Sequence, residues 1–118
     1  MNNKEAALLF EALSSEQRLA IFRLLVQNGT SGLVAGEISS ALGIAASNLS
    51  FHLKNLLHAK LVSVEKEGRF LRYRANIPLM LSTIGFLTNE CCKDKPEECR
   101  KLRKASGIWL EDFPTWLD

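Results

Sequence analysis

The strongest constraint on the fold is a change of hydrophobic period near residue 60. The segment "SNLSFHLKNLLHAKLV" carries leucines at spacings of four, three and one, which predicts a helix whose apolar face is Leu49, Leu53, Leu56 and Leu57. The segment "LVSVEKEGRFLRYRA" then alternates around Glu67–Gly68, and this two-residue period predicts a β-hairpin. A helix that leads directly into a hairpin is restrictive for a chain of 118 residues, which has room for one compact domain.

Helical patterns flank these two elements. Upstream, "EAALLFEALSSEQRLAIFRLLVQNG" predicts two helices, the second capped by Ser14 or Ser15 and ended by Gly29. The segment "LVAGEISSALG" predicts a short helix that stops at Gly43, and "IPLMLSTIGFLTNECC" predicts a last apolar helix with Pro78 in its first turn. The order of helix, helix, helix, turn, helix, hairpin and helix predicts a mainly α fold with a β-hairpin wing, which is a winged helix-turn-helix.

The helix before the hairpin has a small polar face that suits a DNA major groove about 12 Å wide. The side chains off its leucine face, from which DNA contacts would come, are Ser47, Asn48, Ser50, Phe51, His52 and Lys54. The hairpin adds four basic side chains, Lys66, Arg69, Arg72 and Arg74. Residues 44–76 carry six basic and two acidic side chains, although the net charge of the whole chain is only +2. The sequence therefore predicts double-stranded DNA as the partner of this segment.

Alternation divides the hairpin residues between two faces. Arg72 and Arg74 share one face with Phe70, whereas Arg69 and Tyr73 lie opposite. We expect one face to follow a phosphate backbone or a minor groove, and the other to pack back on the domain.

Over roughly residues 3–92 the sequence resembles the ArsR/SmtB family of bacterial winged-helix repressors. The most specific signal is "SNLSFHLKNLLHAKLV" followed by "EGRFLRYR". The resemblance implies a homodimer joined by the first and last helices of residues 1–92, bound to a two-fold operator and released by a metal or metalloid ion or another signal. It also implies recognition-helix contacts from Ser47, Asn48, Ser50 and His52, and wing contacts from Arg69, Arg72 and Arg74.

Two inducer sites known in that family are missing from the sequence. Arsenic sensors of the best-known kind carry Cys-Val-Cys on the first helix of the helix-turn-helix, where this chain has "VAGEISSAL". Zinc sensors carry Asp, His and Glu ligands along the last dimer helix, where "PLMLSTIGFLTNE" offers only Glu90. Sensing must therefore occur elsewhere, or the protein is insensitive to metals.

The three cysteines of the chain, Cys91, Cys92 and Cys99, lie together in "ECCKDKPEEC". Trivalent arsenic and antimony are thiophilic and are bound by three sulfurs in a pyramid, whereas structural zinc takes four ligands in a tetrahedron. Three thiols without a neighbouring histidine fit the first need better, so we expect As(III) or Sb(III) as inducer and no catalytic cofactor. Some arsenic sensors of the family are similar in carrying a cysteine pair and a third thiol at the end of the last helix.

Adjacent helical residues point about 100° apart, so Cys91 and Cys92 can share one ion only where a helix ends. The segment "KDKPEE" supplies an end, because Asp94 and Glu97 resemble a capping box with Pro96 in the first turn of a new helix. Cys99 would then fold back toward the pair.

Neighbouring positive charge bears on the thiols of this segment. Lys93, Lys95, Arg100 and the new helix N-terminus could lower the thiol pKa values. Three alternatives remain open: thiols without a role, a site for another soft metal, and a sensor of thiol oxidation.

The remaining expectations concern class, compartment and organisation. The unpaired thiols, the start "MNNKEAALLF" without a basic-then-apolar leader, and the lack of a long apolar run predict a cytoplasmic protein that is not in a membrane. An enzyme is disfavoured, because no CxxC at a helix start and no Cys/His pair is present. We expect a DNA-binding and dimerisation domain over residues 1–92 and a helical tail over 93–118, whose Ile108, Trp109, Phe113 and Trp116 form either a lid or a partner-binding peptide.

Overall fold

A computed structural model describes residues 1–108, which form two compact units. The first unit is Met1–Met80, and the second begins at Leu81. Within the described residues the helices are α1 (Asn3–Leu13), α2 (Glu16–Gln27), α3 (Ala35–Leu42), α4 (Ala46–His58), α5 (Ile77–Thr88) and α6 (Pro96–Ala105). The strands are β1 (Leu33–Val34), β2 (Val62–Glu67) and β3 (Phe70–Ala75). The predicted winged helix-turn-helix is confirmed.

Local capping sets the helix ends in the first unit. The Ser15 hydroxyl accepts a hydrogen bond from the Arg18 backbone N–H at 3.3 Å, so Ser15 is the cap of α2. Gly43 ends α3 in the left-handed conformation, at φ 65°, and its N–H donates to the Ser39 carbonyl. The turn between α3 and α4 therefore lies where the sequence predicts it.

The core of the first unit lies where α1, α2, α3 and α4 meet the sheet. The predicted leucine face of α4 points into it, with Leu49, Leu53 and Leu56 buried and Leu57 half-buried. The side chains with no measurable exposure are Ile21, Leu25, Ile38 and Leu56. Each Å² of buried apolar surface contributes about 25 cal/mol to stability. This burial stabilises the short helices α3 and α4, which would be marginal in isolation.

The wing belongs to a three-stranded antiparallel sheet with the order β1-β3-β2. Its register runs from Val62↔Ala75 to Glu67↔Phe70, so the turn is Gly68–Arg69, one residue later than expected. Strand β1 is absent from the sequence expectations, because two residues are too few to reveal a period. Gly32 permits this strand to pair with β3, since a Cβ on Gly32 would lie 2.3 Å from the Tyr73 carbonyl oxygen.

In the second unit, α5 ends at Thr88 rather than continuing through the cysteines, and α6 begins at Pro96. The predicted capping box of Asp94 and Glu97 is wrong. Pro96 takes the first helical position, where its missing N–H costs nothing, so the cap residue is Lys95, which makes no side-chain capping bond. The predicted boundary after Cys92 concerns functional domains and stays a prediction.

Among the described residues, no helix has the length and apolar character that crossing a membrane would need. Ile108, the last described residue, is exposed. The rest of the predicted aromatic tail, with Trp109, Phe113 and Trp116, lies outside the described residues.

Candidate nucleic-acid interface and thiol cluster

The polar face of α4 is exposed over its first turns. Phe51 is 62% exposed, and the other side chains predicted to contact DNA that are open to solvent on this helix are Ser47, Asn48, Ser50 and Lys54. The leucine face anchors α4 in the core, which leaves these five side chains on the outer surface. Their assignment as DNA contacts stays a prediction that this exposure supports.

His52 differs from its neighbours, because its ring packs half-buried against the start of α2. The Nε2 atom lies 2.6 Å from the Gln17 Oε1, and the Nδ1 atom lies 3.4 Å from an Arg18 guanidinium nitrogen. Arg18 can only donate, so this network assigns Nδ1 as the acceptor and Nε2–H as the donor to Gln17. The Arg18 Nε also donates to the Ala12 carbonyl at 2.7 Å, which ties α4 and α2 to the end of α1.

At the tip of the wing, Lys66, Arg69 and Phe70 are exposed. Within residues 1–108, neither Lys66 nor Arg69 forms a salt bridge. Their charges therefore face solvent without an ion-pair partner among the described residues.

Arg72 is engaged within the chain. Its Nε donates to the Glu67 carboxylate at 2.9 Å, and an NH1 proton is directed at the Ser31 carbonyl at 3.0 Å and, more weakly, at the Gly32 carbonyl at 3.5 Å. The hydrogen bond to Glu67 raises the pKa of Arg72, desolvation opposes this increase, and the charges of Glu67, Glu37 and Glu65 add smaller increases.

Arg74 repeats this arrangement one step along β3. Its Nε donates to the Thr30 carbonyl at 2.7 Å, and its NH1 donates to the Glu65 carboxylate at 2.9 Å. The shared face of Arg72 and Arg74 is as predicted, and Tyr73 on the opposite face is buried, which raises its phenol pKa. The carboxylate pairing was missed, although Glu65 and Glu67 show the same two-residue alternation in the sequence.

The three thiols converge within a single chain. The Sγ atoms of Cys91 and Cys92 are 3.8 Å apart, those of Cys99 and Cys91 are 3.7 Å apart, and all three lie within 4.8 Å of one another. Cys99 is buried, Cys92 is half-buried and Cys91 is exposed, so the cluster is closed on one side and open on the other.

The backbone between α5 and α6 brings the sulfurs together. The Cys91 N–H donates to the Thr88 carbonyl at 2.9 Å, and the Lys95 N–H donates to the Cys92 carbonyl at 2.7 Å. Every second residue of this turn has a positive φ, with 57° at Glu90, 54° at Cys92 and 60° at Asp94. Because this left-handed conformation breaks the helical direction, neighbouring side chains no longer diverge by about 100°. The Cys99 N–H, in the first turn of α6, donates to the Lys95 carbonyl at 3.1 Å.

The thiols share their protons unequally. Hydrogen bonding to Cys99, with a smaller contribution from burial, raises the pKa of Cys92 to about 11. The pKa of Cys99 is lowered first by its hydrogen bond with Cys92, and burial opposes this lowering. The hydrogen bond with Cys91 and the charge of Arg103 lower it further. The sequence-based expectation of lowered thiol pKa values holds for Cys99 but is wrong for Cys92. At Cys99 the main cause is hydrogen bonding, and the cation that contributes is Arg103 rather than Lys93, Lys95 or Arg100. Cys99 is thus the first thiol of this pair to become a thiolate.

Comparison with known proteins identifies the DNA-binding segment. Residues 13–65 match the model of a helix-turn-helix domain family. The transcriptional activator HlyU of Vibrio cholerae is 33% identical over 92 residues, which cover 78% of this chain and 82% of that protein. The arsenical resistance operon repressor of Bacillus subtilis is 32% identical over 83 residues, which cover 70% of this chain and 74% of that protein. A regulator of Bacillus subtilis, YceK, is 40% identical over 63 residues, and the chain spans 62% of its length.

Solved structures of transcriptional regulators have a similar fold. Reduced HlyU from Vibrio cholerae superposes with a TM-score of 0.62 at 32% identity, covering 78% of this chain and 94% of the other. An ArsR-like transcriptional regulator from Rhodococcus sp. RHA1 gives 0.65 at 25% identity, covering 87% and 93%.

This chain belongs to the ArsR/SmtB family of winged-helix regulators. A homodimeric winged helix-turn-helix domain from Mycobacterium bovis, described as possibly of the ArsR family, shares the fold with a TM-score of 0.59 at 24% identity, covering 74% of this chain and 81% of the other. As an ArsR/SmtB regulator, the protein binds DNA and controls transcription.

The thiol cluster of this ArsR/SmtB regulator fits a thiophilic ion. Thiolate bonds of about 2.3 Å at tetrahedral angles place sulfurs about 3.8 Å apart. The Sγ atom of Cys91 lies at nearly this distance from those of Cys92 and Cys99. In the part of the chain that the structure describes, the cluster has no fourth Cys, His, Asp or Glu ligand. Three sulfurs suit an ion with a pyramidal site, and zinc here would lack its fourth protein ligand.

Proposed function

We propose that the protein is a transcriptional repressor that leaves its operator when trivalent arsenic or antimony binds Cys91, Cys92 and Cys99. The observation that carries the proposal is the convergence of three Sγ atoms within 4.8 Å in one chain. The similarity to an arsenical resistance operon repressor supports arsenic as the signal. The free thiols need a reducing environment, which a cytoplasmic location supplies.

The acidity of Cys99 favours the first bond to the ion. A thiolate is the metal-binding form of cysteine, and the lowered pKa of Cys99 makes this form more abundant at neutral pH than in an isolated thiol. The exposed Cys91 then offers an approach for the ion, and the turn lets Cys92 complete the pyramid without unwinding α5 or α6.

We also propose a homodimer formed through α1 and α5. Leu8 is 55% exposed and Phe10 is 43% exposed on α1, while Leu87 is 61% exposed on α5. A dimer through these two helices would remove such apolar surface from water. The Mycobacterium bovis domain that shares this fold is itself homodimeric. Two recognition helices would then contact successive major grooves about 34 Å apart.

Release would follow from the position of the cysteines just beyond α5. Bonds from all three sulfurs to one ion would fix the turn after Thr88, and this constraint at the end of a dimer helix would hold the recognition helices at a less suitable spacing. Coupling of this kind is typically about 1–3 kcal/mol, equivalent to about a 5- to 150-fold loss of DNA affinity.

The test measures binding to a promoter fragment by fluorescence anisotropy while arsenite, antimonite, zinc, cadmium and peroxide are added in turn. We expect release by arsenite and antimonite in the wild type and no release in Cys91→Ser, Cys92→Ser or Cys99→Ser. All three variants should bind DNA normally without arsenite. Asn89→Ser is the matched control, since it alters the same turn but no ligand, and it should release as the wild type does.

Direct binding is measured separately through the ultraviolet absorbance of arsenic–sulfur bonds, with a stoichiometry of one ion per chain. Arsenite-driven release that persists in all three serine variants would show that the inducer site lies elsewhere. Release without any arsenic–sulfur absorbance would have the same meaning.

A second candidate is a response to thiol oxidation, and the 3.7 Å separation of the Cys99 and Cys91 sulfurs favours it. The Cys99 thiolate would attack hydrogen peroxide and become a sulfenic acid with release of hydroxide, which takes up a proton from solvent to form water. The Cys91 thiol would then condense with the sulfenic acid to a disulfide with loss of a second water. Release by peroxide but not by arsenite, with a Cys91–Cys99 disulfide found by mass spectrometry, would favour this candidate. Release by cadmium or zinc alone would instead indicate another soft metal.

A further inference from the structure

We propose that the four basic residues of the wing have two different roles in DNA binding. Lys66 and Arg69 at the tip contact phosphates, whereas Arg72 and Arg74 are positioning residues that fasten the wing to residues 30–32. This division departs from the sequence-based expectation that all four touch DNA.

The first support is the pairing geometry of the arginines. In the register of the sheet, Arg72 lies opposite Glu65 but pairs with Glu67, while Arg74 lies opposite Ser63 but pairs with Glu65. Both ion pairs are therefore diagonal across β2 and β3, and they run in the same direction. Diagonal neighbours of this length are within reach of long side chains in an antiparallel pair.

The second support is the number of donors already in use. Each guanidinium gives its Nε proton and an NH1 proton to a carboxylate and to a main-chain carbonyl of residues 30–32. These bonds already hold the Nε and NH1 nitrogens of each guanidinium, so a phosphate contact would depend mainly on the remaining NH2 group, beside a carboxylate that repels it. Each arginine also carries a carboxylate beside it, so the pair adds almost no net charge to attract DNA.

Lys66 and Arg69 lack this compensation. Among residues 1–108 they form no salt bridge, and both side chains are exposed beside the turn of the hairpin. An uncompensated charge at the tip of a projecting hairpin can replace a condensed counterion on a phosphate, and the release of that counterion is the source of affinity.

The third support is the segment to which the arginines are fastened. Residues 30–32 run directly into β1, and β1 leads without a break into α3, the first helix of the helix-turn-helix. The close approach of Gly32 to the Tyr73 carbonyl oxygen leaves no space for a side chain at this point. The wing is therefore held against the segment that leads into the helix-turn-helix, and the side chains of Arg72 and Arg74 donate hydrogen bonds to the main chain of that segment.

The test is the slope of log affinity against log salt concentration on one promoter fragment, because each phosphate contact contributes about 0.9 to this slope. Lys66→Gln and Arg69→Gln should each lower the slope by about 0.9 per protomer. Arg72→Gln and Arg74→Gln alone should each lower the slope by clearly less than this, because the remaining arginine still holds the wing in place. The double variant Arg72→Gln/Arg74→Gln should lose both tip contacts, about 1.8 per protomer.

Non-additivity separates positioning from direct contact. In the Arg72→Gln/Arg74→Gln background, adding Arg69→Gln should leave the slope unchanged, because the tip no longer reaches the phosphate. If Arg72 and Arg74 touched phosphates themselves, each would lower the slope by about 0.9 and Arg69→Gln would keep its full effect in every background. Either that additivity, or an unchanged slope in both Lys66→Gln and Arg69→Gln, overturns the proposal.

Urea unfolding shows whether the double arginine variant folds. If it does not fold, a second double variant tests the same proposal. Glu65→Gln/Glu67→Gln keeps both arginines but removes their carboxylates. We expect the wing of this variant to be less firmly positioned, so that adding Arg69→Gln lowers the salt slope by less than it does in the wild type. A steeper slope would instead show that freed arginines bind phosphates, and it would contradict the positioning role.

Discussion

The recognition helix α4 and the cysteine turn present their functional side chains by different physical means. In α4 the opposite, apolar face positions the polar one, because Leu49, Leu53 and Leu56 are buried in the core. In residues 89–95 the thiols are positioned by the backbone, through left-handed residues and a few main-chain hydrogen bonds. Only Cys99, which stands in the regular helix α6, is a buried member of the cluster.

This difference teaches where each function is sensitive to substitution. A surface held by a core fails when the core fails, so its residues are hard to separate from folding. A cluster held by a turn can lose a ligand without loss of the fold, so its function can be removed alone. The thiol cluster is therefore expected to respond to single substitutions more cleanly than the DNA-binding face.

The largest effect is expected in the core behind α4. Leu56→Ala removes a side chain with 0% exposure, and the lost burial and the resulting cavity should lower the free energy of unfolding by about 2–5 kcal/mol. Urea unfolding followed by circular dichroism measures this change. Leu19→Ala, on a side chain that is 42% exposed, is the matched control and should cost less than about 1 kcal/mol. Equal losses in the two variants would contradict the core assignment.

A smaller effect is expected between α4 and α2. His52→Ala removes the hydrogen bond to Gln17, and such bonds contribute about 0.5–1.5 kcal/mol net. A double-mutant cycle with Gln17→Ala in urea unfolding should give a coupling energy of about that size. The variant Gln17→Ala keeps the His52 ring but removes this bond. Comparing its DNA affinity with that of the wild type shows whether the bond also matters for DNA binding. A coupling energy near zero would mean that the two side chains do not interact in solution.

Single thiol substitutions should have the smallest effect on stability. Cys91→Ser changes an exposed side chain in a turn, so its free energy of unfolding should stay within about 0.5 kcal/mol of the wild type. The same urea experiment measures it, with arsenite absent. A loss comparable to that of Leu56→Ala would show that the turn is held by the thiols themselves, and would remove the contrast between the two regions.

The sequence predicts the parts of the molecule that long periodic patterns specify. The leucine spacing of α4, the αL turn at Gly43 and the alternation of the hairpin each reflect one dominant local preference, and the structure agrees with all three. A helix break between Cys92 and Cys99 was also predictable, and with it a fold-back of Cys99 toward the pair, but the distances between the sulfurs come from the structure alone.

What escaped prediction depends on contacts between distant segments. Strand β1 exists only because Gly32 lets it approach β3, and Arg72 and Arg74 find carbonyls about 40 positions away in the chain. The start of α6 was misplaced because two local signals competed there. Proline at the first helical position prevailed over a capping box that began at Asp94.

The smallest difference lies within the cluster and concerns protons rather than stability. With rising pH, Cys99 should ionise below the range of an ordinary thiol, and Cys92 should ionise only near its pKa of about 11. Thiolate absorbance at 240 nm measures both steps. Cys92→Ala should remove the late step and raise the pKa of Cys99, because the hydrogen bond from Cys92 is the main cause of its lowering.

The two shifts act in opposite directions on folding. A lowered pKa adds stability above the ordinary thiol value and loses it as pH falls, whereas a raised pKa adds stability below that value and loses it as pH approaches 11. The contributions offset each other in unfolding data, so the spectroscopic titration is the informative measurement. Arg103→Gln is a second probe, and it should raise the pKa of Cys99 less than Cys92→Ala does, because Arg103 is the weaker cause. Two thiols that titrate together at the ordinary value would mean that the turn does not hold the sulfurs in contact.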